Sequence, residues 1–155
     1  MKKLILLRHG EAGFSDGIDF QRPLTYKGRT GLEKLGETLK EMGMEVDLMF
    51  CSPATRTWET SQIIKKYIPI HREVFEKDIY SANLETLIQI LEKTPEEVNT
   101  CLLIGHNPTI SLLMAHLTDG NYIGLQPGML GILEMQLPHW YLVGHNSAAL
   151  KEVLK

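Results

Sequence analysis

The sequence of 155 residues has no long hydrophobic run. Lys2 and Lys3 are followed by only four apolar residues, 4–7, before Arg8 interrupts them. A signal peptide needs a longer apolar segment, and a membrane-spanning helix needs about 20 apolar residues. The sequence therefore predicts a cytoplasmic protein that does not enter a membrane.

An excess of charge of one sign is also lacking. The formal net charge is −3, from 16 basic and 19 acidic residues. A general nucleic-acid-binding protein needs a broadly basic surface. The charge balance argues against a nucleic-acid partner, but it is compatible with a local cluster of positive side chains.

Cysteine is scarce, with Cys51 and Cys101 as the two examples, and both lie in apolar segments without metal-ligand spacing. This setting favours buried free thiols over a disulfide and fits a reducing compartment. The residues are 43% hydrophobic and 23% charged, as in an ordinary globular protein. We expect a single domain over residues 1–155.

The sequence does contain an alternation of apolar strands and amphipathic helices. Apolar runs at 3–7, 46–51 and 101–104 predict strands buried on both faces. A further strand is predicted at 72–75, and a more exposed one at 130–137.

Helical periodicity separates these runs. The apolar positions that recur at steps of three and four residues are Leu32, Leu35, Leu39 and Met42; Leu84, Leu87, Ile88 and Leu91; and Ile110, Leu113, Met114 and Leu117. Such stripes are typical of helix faces packed on a core. The alternation predicts an α/β fold, a three-layer α/β/α sandwich with a mainly parallel central sheet.

Two predicted junctions between a strand and a helix share a pattern, MFCSPATR and LLIGHNPTI. Ser52 and Asn107 are suited to cap a helix start, and Pro53 and Pro108 to occupy its first turn. Both helix N-termini would then lie at the carboxyl ends of strands, where open α/β sheets bind ligands and helix dipoles favour anions.

The predicted strand ends carry Arg8 and His9, Arg56, and His106. Each residue alone is more typical of an ordinary loop or helix surface. Together, two arginines could hold phosphate oxygens, and a neutral imidazole could attack phosphorus. A second, protonated histidine would stabilise charge in the transition state. This set is coherent for phosphoryl transfer without a metal.

The motifs LLRHGEA, SPATRTWET and LIGHNP, in this order, resemble those of the histidine phosphatase superfamily with its phosphoglycerate mutase-like fold. The short length and RPLTYKG at 22–28 most resemble the small SixA-type phosphohistidine phosphatases. The resemblance runs from residue 3 to about residue 137 and is weakest in the C-terminal segment.

The resemblance implies a role for each matching residue. His9 would be the nucleophile that is transiently phosphorylated, Arg8 and Arg56 would bind the phosphoryl oxygens, and His106 would complete the pocket. The backbone N–H of Asn107 would add a donor. Gly10 would give the turn its backbone freedom and keep bulk away from the phosphate. No metal or other cofactor is implied.

Arg22, in the RPLT segment, is either a contact to the substrate or a solvated loop residue. The segment 122–131 is rich in glycine and is expected to border the pocket. The remaining histidines are expected to be structural or solvated rather than catalytic: His71, His116, His139 and His145. Trp58 and Trp140 are expected to be packing residues.

Larger members of the superfamily carry a glutamate that protonates the leaving group, and no residue of FEKDIYSANLETL is identified as its equivalent. The carboxylates that could still supply a proton are Glu11, Asp16, Asp19, Glu76 and Asp78. A phosphoramidate has a good leaving group and needs less help from an acid, so this absence favours phosphohistidine over an ordinary phosphomonoester.

The sequence thus predicts a phosphatase that acts on phosphohistidine in a partner protein through a covalent phosphohistidine. The alternatives are a phosphatase for a small phosphorylated metabolite, and a module that binds phosphate or phosphohistidine without catalysis. A mutase is disfavoured because the chain leaves little room for the insertions that shape a sugar-phosphate site.

Overall fold

The computed structural model describes residues 1–155 and confirms the alternation of strands and helices. The strands are β1 (Lys3–Arg8), β2 (Leu48–Cys51), β3 (Glu73–Phe75), β4 (Thr100–Gly105), β5 (Leu130–Met135) and β6 (Ala148–Leu154). The helices are α1 (Tyr26–Glu41), α2 (Thr55–Lys65), α3 (Leu84–Glu92) and α4 (Thr109–Thr118).

All six strands form one sheet, in the order β3-β2-β4-β1-β5-β6. The strands β1, β2, β3 and β4 run parallel to one another. In contrast, β5 is antiparallel to β1, and β6 is antiparallel to β5. The sheet is therefore mainly parallel, as predicted, with an antiparallel edge.

Helices cover both faces of this sheet. Leu4 and Leu6 of β1 pack in one apolar cluster with residues of α3 and α4. Ile5 and Leu7 of the same strand pack in a second cluster with residues of α1 and α2. Successive side chains of a strand point to opposite faces, so β1 contributes to both clusters. The predicted three-layer α/β/α architecture is confirmed.

The antiparallel edge differs from the prediction. Five of the six residues of β5 are buried, so the expectation of an exposed strand at 130–137 was wrong. The side chains of β5 pack on both faces of the sheet, with Leu130 in the cluster of α1 and α2 and Leu133 in the cluster of α3 and α4. A Cβ at Gly131 would lie 2.5 Å from Met114 Sδ, so β5 packs tightly against α4. The strand β6, which the sequence did not predict, pairs along β5 and covers its edge.

The predicted helix stripes are mostly buried. Leu32, Leu35 and Leu39 of α1 are in the core, whereas Met42 lies at the C-cap and is 45% exposed, contrary to expectation. The helix begins where Thr25 Oγ1 accepts a hydrogen bond from the backbone N–H of Gly28. None of the four helices combines the length and the apolar content that a membrane span requires.

Both helix caps were predicted at the wrong residues. Ala54 and Pro108, rather than Ser52 and Asn107, occupy the N-cap positions of α2 and α4, and neither makes a side-chain capping hydrogen bond. The helix begins two residues later than predicted after β2 and one residue later than predicted after β4. The side chains of Ser52 and Asn107 are engaged instead in the candidate site.

Cys51 and Cys101 are buried free thiols, as predicted. Burial raises the pKa of the Cys101 thiol to about 12 and also raises the pKa of the Cys51 thiol strongly. Both thiols are therefore protonated and unreactive at neutral pH.

Candidate active site

Three parallel strands end side by side and bring the sequence motifs together. The strand β4 lies between β1 and β2, and their carboxyl ends are in register. The next residues are His9 after β1, Ser52 after β2 and His106 after β4. The ring centroids of His9 and His106 are 5.3 Å apart.

His9 is held in an orientation suited to a nucleophile. It is 7% exposed, and its Nδ1 lies 2.7 Å from the carbonyl oxygen of Gly10. A carbonyl oxygen only accepts, so the ring proton is on Nδ1 and the lone pair is on Nε2. That Nε2 lies 3.4 Å from Nε of Arg56, which donates to it.

The surroundings of His9 keep its ring neutral. Burial lowers the pKa of His9 to about 4, and Arg56, Arg8 and Arg22 act in the same direction. The hydrogen bond to the Gly10 carbonyl opposes this shift. At neutral pH the ring therefore has an available lone pair, as a nucleophile at phosphorus requires.

Arg56 lies in the first turn of α2, as predicted, and is anchored by Asp19. Its Nη1 donates to the backbone oxygen of Asp19 at 2.8 Å, and its Nη2 donates to Oδ2 of the same residue at 3.1 Å. The third nitrogen, Nε, faces His9. Asp19 thus orients the guanidinium towards His9.

His106 is also neutral, although it is only partly buried. Its Nε2 lies 2.8 Å from Ser52 Oγ, while its Nδ1 is buried without a hydrogen-bond partner. Burial lowers the pKa of His106 to about 3, with further lowering by His9 and Arg56, and Asp19 opposes this. His106 is therefore neutral in the free protein, and its protonated state in the transition state stays a prediction.

Arg8 and Asn107 meet at one backbone oxygen. Arg8 Nη1 and Asn107 Nδ2 each donate to the carbonyl of Leu125 at 2.9 Å. Asn107 Oδ1 also accepts from Ser111 Oγ at 2.7 Å. The glycine-rich loop borders the pocket, as expected. The side chain of Asn107 ties that loop to α4, and a substrate contact through its backbone N–H stays a prediction.

Arg22 belongs to the cluster and is not merely a solvated loop residue. Its Nη1 donates to Asp19 Oδ1 at 3.1 Å, and its Nε donates to the carbonyl of Gly13 at 2.8 Å. Since its charge also lowers the pKa of His9, it contributes to the positive surroundings of the nucleophile.

Asp19 is the one candidate acid that contacts the catalytic cluster. Hydrogen bonds from Tyr80, Arg22 and Arg56 hold the pKa of this carboxyl well below its usual range. It is therefore ionised at neutral pH and has no proton to donate in the free protein.

The other four candidate acids lie elsewhere. Glu11 accepts a hydrogen bond from Thr25 Oγ1 at 3.0 Å, at the start of α1. Asp16 is exposed in the loop that follows β1. Glu76 and Asp78 line a separate cavity beside α3. None of them is within hydrogen-bonding distance of His9 or His106 in this structure.

Tyr80 is a site residue that the sequence did not reveal. Its hydroxyl donates to Asp19 Oδ2 at 2.6 Å. Its ring meets the rings of His106 and Phe20 edge-on, with centroid distances of 5.4 and 4.9 Å. A tyrosine in a polar stretch of the sequence gives no indication of a contact with a residue 61 positions away.

The role predicted for Gly10 needs correction. Its φ is not positive, so the turn does not require glycine for backbone freedom. A Cβ at this position would lie 2.7 Å from Leu32 Cδ1. The loop packs directly on α1 at Gly10, and the role of this glycine in leaving room for a phosphate stays a prediction.

Most of the remaining polar residues have structural or solvated roles. The exposed rings of His71, His139 and His145 each pair with a carboxylate. Trp140 is buried and donates to the Val98 carbonyl at 2.8 Å, whereas Trp58 is 48% exposed, so its predicted packing role was wrong. No group of three or more histidine, cysteine or carboxylate residues is placed to hold a metal ion.

Comparison with known proteins gives a family match over most of the chain. Residues 4–98 match the histidine phosphatase superfamily (branch 1). An uncharacterized protein of Mycobacterium tuberculosis is 32% identical over 108 residues, which are 69% of this chain and 66% of the relative. The matched part spans just under two thirds of that relative's length.

Solved structures share the fold. A candidate phosphohistidine phosphatase SixA from Nakamurella multipartitia superposes with a TM-score of 0.85 at 23% identity, covering 99% of this chain and 95% of that one. The protein histidine phosphatase SixA in complex with tungstate gives a TM-score of 0.83 at 20% identity, covering 98% of this chain and 96% of that one. At such identities the likeness establishes the phosphoglycerate mutase-like fold alone. With the family match over residues 4–98, the chain belongs to the histidine phosphatase superfamily (branch 1).

Proposed function

We propose that this protein is a cytoplasmic phosphatase that removes phosphoryl groups from phosphohistidine in a partner protein, through a covalent phosphohistidine at His9. The observation that carries the proposal is the buried, neutral ring of His9, with Nε2 3.4 Å from Arg56 Nε. Arg8 and Arg22 add positive charge around it. These surroundings suit a phosphoryl group, which guanidinium groups bind through paired hydrogen bonds.

In the first step, the Nε2 lone pair of His9 attacks phosphorus, and the bond between phosphorus and the leaving nitrogen breaks. The leaving imidazole keeps that electron pair and takes a proton from solvent. Arg8 and Arg56 stabilise the negative charge on the phosphoryl oxygens. The carbonyl of Gly10, which accepts from Nδ1, stabilises the positive charge of the phosphorylated ring.

In the second step, a water molecule attacks phosphorus and the bond to Nε2 breaks. Inorganic phosphate leaves, and the proton of the water passes to solvent. The electron pair returns to Nε2, so His9 regains its neutral form with the proton on Nδ1. The hydrogen bond to Gly10 keeps the same tautomer throughout.

The preference for a P–N bond rests on the ionised state of Asp19. An alkoxide is a poor leaving group and needs a proton from a general acid, whereas an imidazole leaves more readily. Asp19 lies at the site, but the hydrogen bonds it accepts keep its pKa low. The site thus has positioned cations and a nucleophile without a positioned acid.

Labelling tests the covalent mechanism. The protein is mixed briefly with a phosphorelay domain that carries radioactive phosphohistidine, and the transferred phosphate is tested for acid lability and alkali stability. We expect label on the wild type, none on His9→Asn, and normal labelling of a matched control, His71→Asn, which changes an exposed histidine. Absence of both label and phosphate release from the wild type would favour the binding module.

Substrate comparison separates the phosphohistidine phosphatase from the metabolite phosphatase. We expect phosphohistidine to be hydrolysed at least 100-fold faster than an alkyl phosphomonoester, because only the alkoxide requires the acid. Equal rates on the two substrates would contradict the preference and would indicate a general acid elsewhere in the site.

A further inference from the structure

The loop between β1 and α1 exposes apolar side chains beside the catalytic cluster. Phe14 is 90% exposed and Ile18 is 50% exposed. Together with Asp19 and Arg22, these residues line a cavity of ≈ 550 Å³. Large apolar side chains at an open cavity are costly to leave in water and are typical of a binding surface.

This cavity shares a wall with the catalytic cluster. Arg22 and Asp19 line it and are hydrogen-bonded to each other at 3.1 Å. Through its other carboxylate oxygen, Asp19 accepts from Arg56 Nη2, also at 3.1 Å. The nucleophile His9 lies on the far side of Arg56. A group bound in the cavity would therefore be a close neighbour of a phosphoryl group bound at His9.

The loop is also connected to the second catalytic histidine. Phe20 packs edge-on against Tyr80, with a centroid distance of 4.9 Å. Tyr80 in turn packs edge-on against His106, at 5.4 Å. The same short loop thus supplies the apolar wall of the cavity and one wall of the catalytic pocket.

Resting on the proposed function, we propose that this cavity, lined by Phe14, Ile18, Asp19 and Arg22, binds an apolar side chain of the phosphorylated partner protein beside the phosphorylated residue. His9 is only 7% exposed, so the phosphorylated side chain has to project into the pocket. The arginines complement its charge, while Phe14 and Ile18 offer nothing to a phosphate and match an apolar group. A folded partner protein can present a charged phosphorylated side chain and a neighbouring apolar side chain at a fixed distance from each other.

The test compares one double variant on three substrates. Phe14→Ser with Ile18→Ser removes the exposed apolar groups without touching the catalytic cluster. The matched control is Met42→Ser, which changes a 45% exposed residue. Met42 lies beside Lys3 and Thr100, which are the first residues of β1 and β4. It is therefore at the amino ends of the parallel strands, opposite the carboxyl ends that carry His9 and His106. The substrates are a histidine-phosphorylated phosphorelay domain, phosphoramidate and p-nitrophenyl phosphate.

We expect the double variant to lose roughly tenfold in kcat/KM on the phosphorylated domain, the scale of removing two apolar contacts from an interface. Its kcat/KM on phosphoramidate and p-nitrophenyl phosphate should equal that of the wild type, which also shows that it is folded. Met42→Ser should match the wild type on all three substrates.

Three results overturn the proposal in distinguishable ways. If the wild type is active and the double variant hydrolyses the phosphorylated domain equally well, the cavity does not bind the partner and the proposed function stands. If the loss occurs on p-nitrophenyl phosphate instead of the domain, the cavity takes a small aryl ligand. If the wild type hydrolyses none of the three substrates and takes no label at His9, the proposed function itself fails.

Discussion

His9 and His106 both follow buried parallel strands, yet the protein holds the two rings differently. His9 Nδ1 donates to the backbone carbonyl of Gly10, which fixes the proton and leaves Nε2 for reaction. His106 meets Ser52 Oγ through Nε2 and has no partner at Nδ1. A hydroxyl can donate or accept, so Ser52 tolerates either protonation state of His106.

The proposed nucleophile, His9, thus has a fixed tautomer, whereas the contacts of His106 permit either protonation state. The tautomer of His9 is determined by the chain before any substrate arrives. His106 is neutral in the free protein because burial and positive neighbours lower its pKa to about 3. A bound phosphoryl dianion favours the imidazolium, so we expect His106 to gain its proton on binding, while His9 stays neutral until it reacts.

The strongest test of this contrast replaces each ring with asparagine. His9→Asn removes the nucleophile, so we expect no covalent label and no turnover. His106→Asn leaves the nucleophile in place, so labelling should persist but proceed about 100-fold more slowly, the typical loss on removing one group that stabilises transition-state charge. Rapid-quench labelling measures both. Label on His9→Asn, or none on His106→Asn after long incubation, would reverse the assignment of the two histidines.

The stability of the protein should fall in acid because the folded chain holds both rings as neutral groups. An unfolded histidine has a pKa of about 6.5, whereas burial lowers the pKa of His9 to about 4 and that of His106 to about 3. Between these values the unfolded chain binds more protons than the folded one, so the free energy of unfolding rises with pH. From pH 6.5 down to pH 4, His9 alone should cost about 3 kcal/mol.

Urea unfolding between pH 4 and pH 7 measures the slope of the free energy of unfolding against pH. His9→Asn and His106→Asn should each flatten it, and His71→Asn, at an exposed ring, should leave it unchanged. An identical slope in all four proteins would show that the folded chain does not hold the two site rings as neutral groups.

Two glycines beside the histidines should respond differently to alanine. The added Cβ at Gly10 would lie 2.7 Å from Leu32 Cδ1, in a fully buried contact, whereas at Gly105 the nearest atom is Ile79 Cγ2 at 3.4 Å. We expect Gly10→Ala to lower the free energy of unfolding by about 2 kcal/mol and Gly105→Ala by about 0.5 kcal/mol or less. Thermal and urea unfolding would detect this difference, and equal effects would contradict the close packing of the His9 loop on α1.

The variant Asp19→Asn tests whether Asp19 positions Arg56 or acts as a general acid. The substitution keeps the shape of the side chain but weakens its hold on Arg56 and Arg22. We expect kcat to fall roughly tenfold on phosphoramidate and p-nitrophenyl phosphate alike, because losing a charge-assisted hydrogen bond costs about 1.5 kcal/mol or more. A fall confined to the ester would show instead that Asp19 supplies a proton.

Ser52→Ala should have the smallest effect. It removes the partner of His106 Nε2 and leaves His9 and its hydrogen bond to Gly10 unchanged. We expect a loss of about threefold to fivefold in kcat/KM, the scale of a single neutral hydrogen bond, with covalent labelling intact. A complete loss of labelling would mean that Ser52 acts on His9 and not only on His106.

The sequence predicted the parallel core and the strand ends because both follow from local patterns. Arg8, His9, Arg56 and His106 come directly after apolar runs or within the next helical turn, and parallel neighbours place such ends together. The resemblance of the motifs to a known family then predicted which of these residues is the nucleophile and which bind the phosphoryl group. The spacing of the residues alone does not distinguish these roles.

The missed features depend on contacts between distant segments. The strand β6 is rich in alanine, leucine and charged residues, which favour helix, and it becomes a strand because it pairs with β5. Likewise, Asp19 and Tyr80 meet only after the loop that follows β1 has folded across the sheet. The sequence around Asp19 gives no indication of Tyr80, and the sequence around Tyr80 gives no indication of Asp19.

The order of the strands also determines when the site can form during synthesis of the chain. The strand β1 is made first, but its sheet neighbours are β4 and β5, which leave the ribosome much later. The strand β2 cannot pair with β1, because β4 lies between them. A growing chain that stops before β4 therefore carries β1 and β2 as strands that are not paired with each other. Their carboxyl ends come side by side through pairing with β4, which for β1 joins residues nearly a hundred positions apart, and such distant pairings are slow to form.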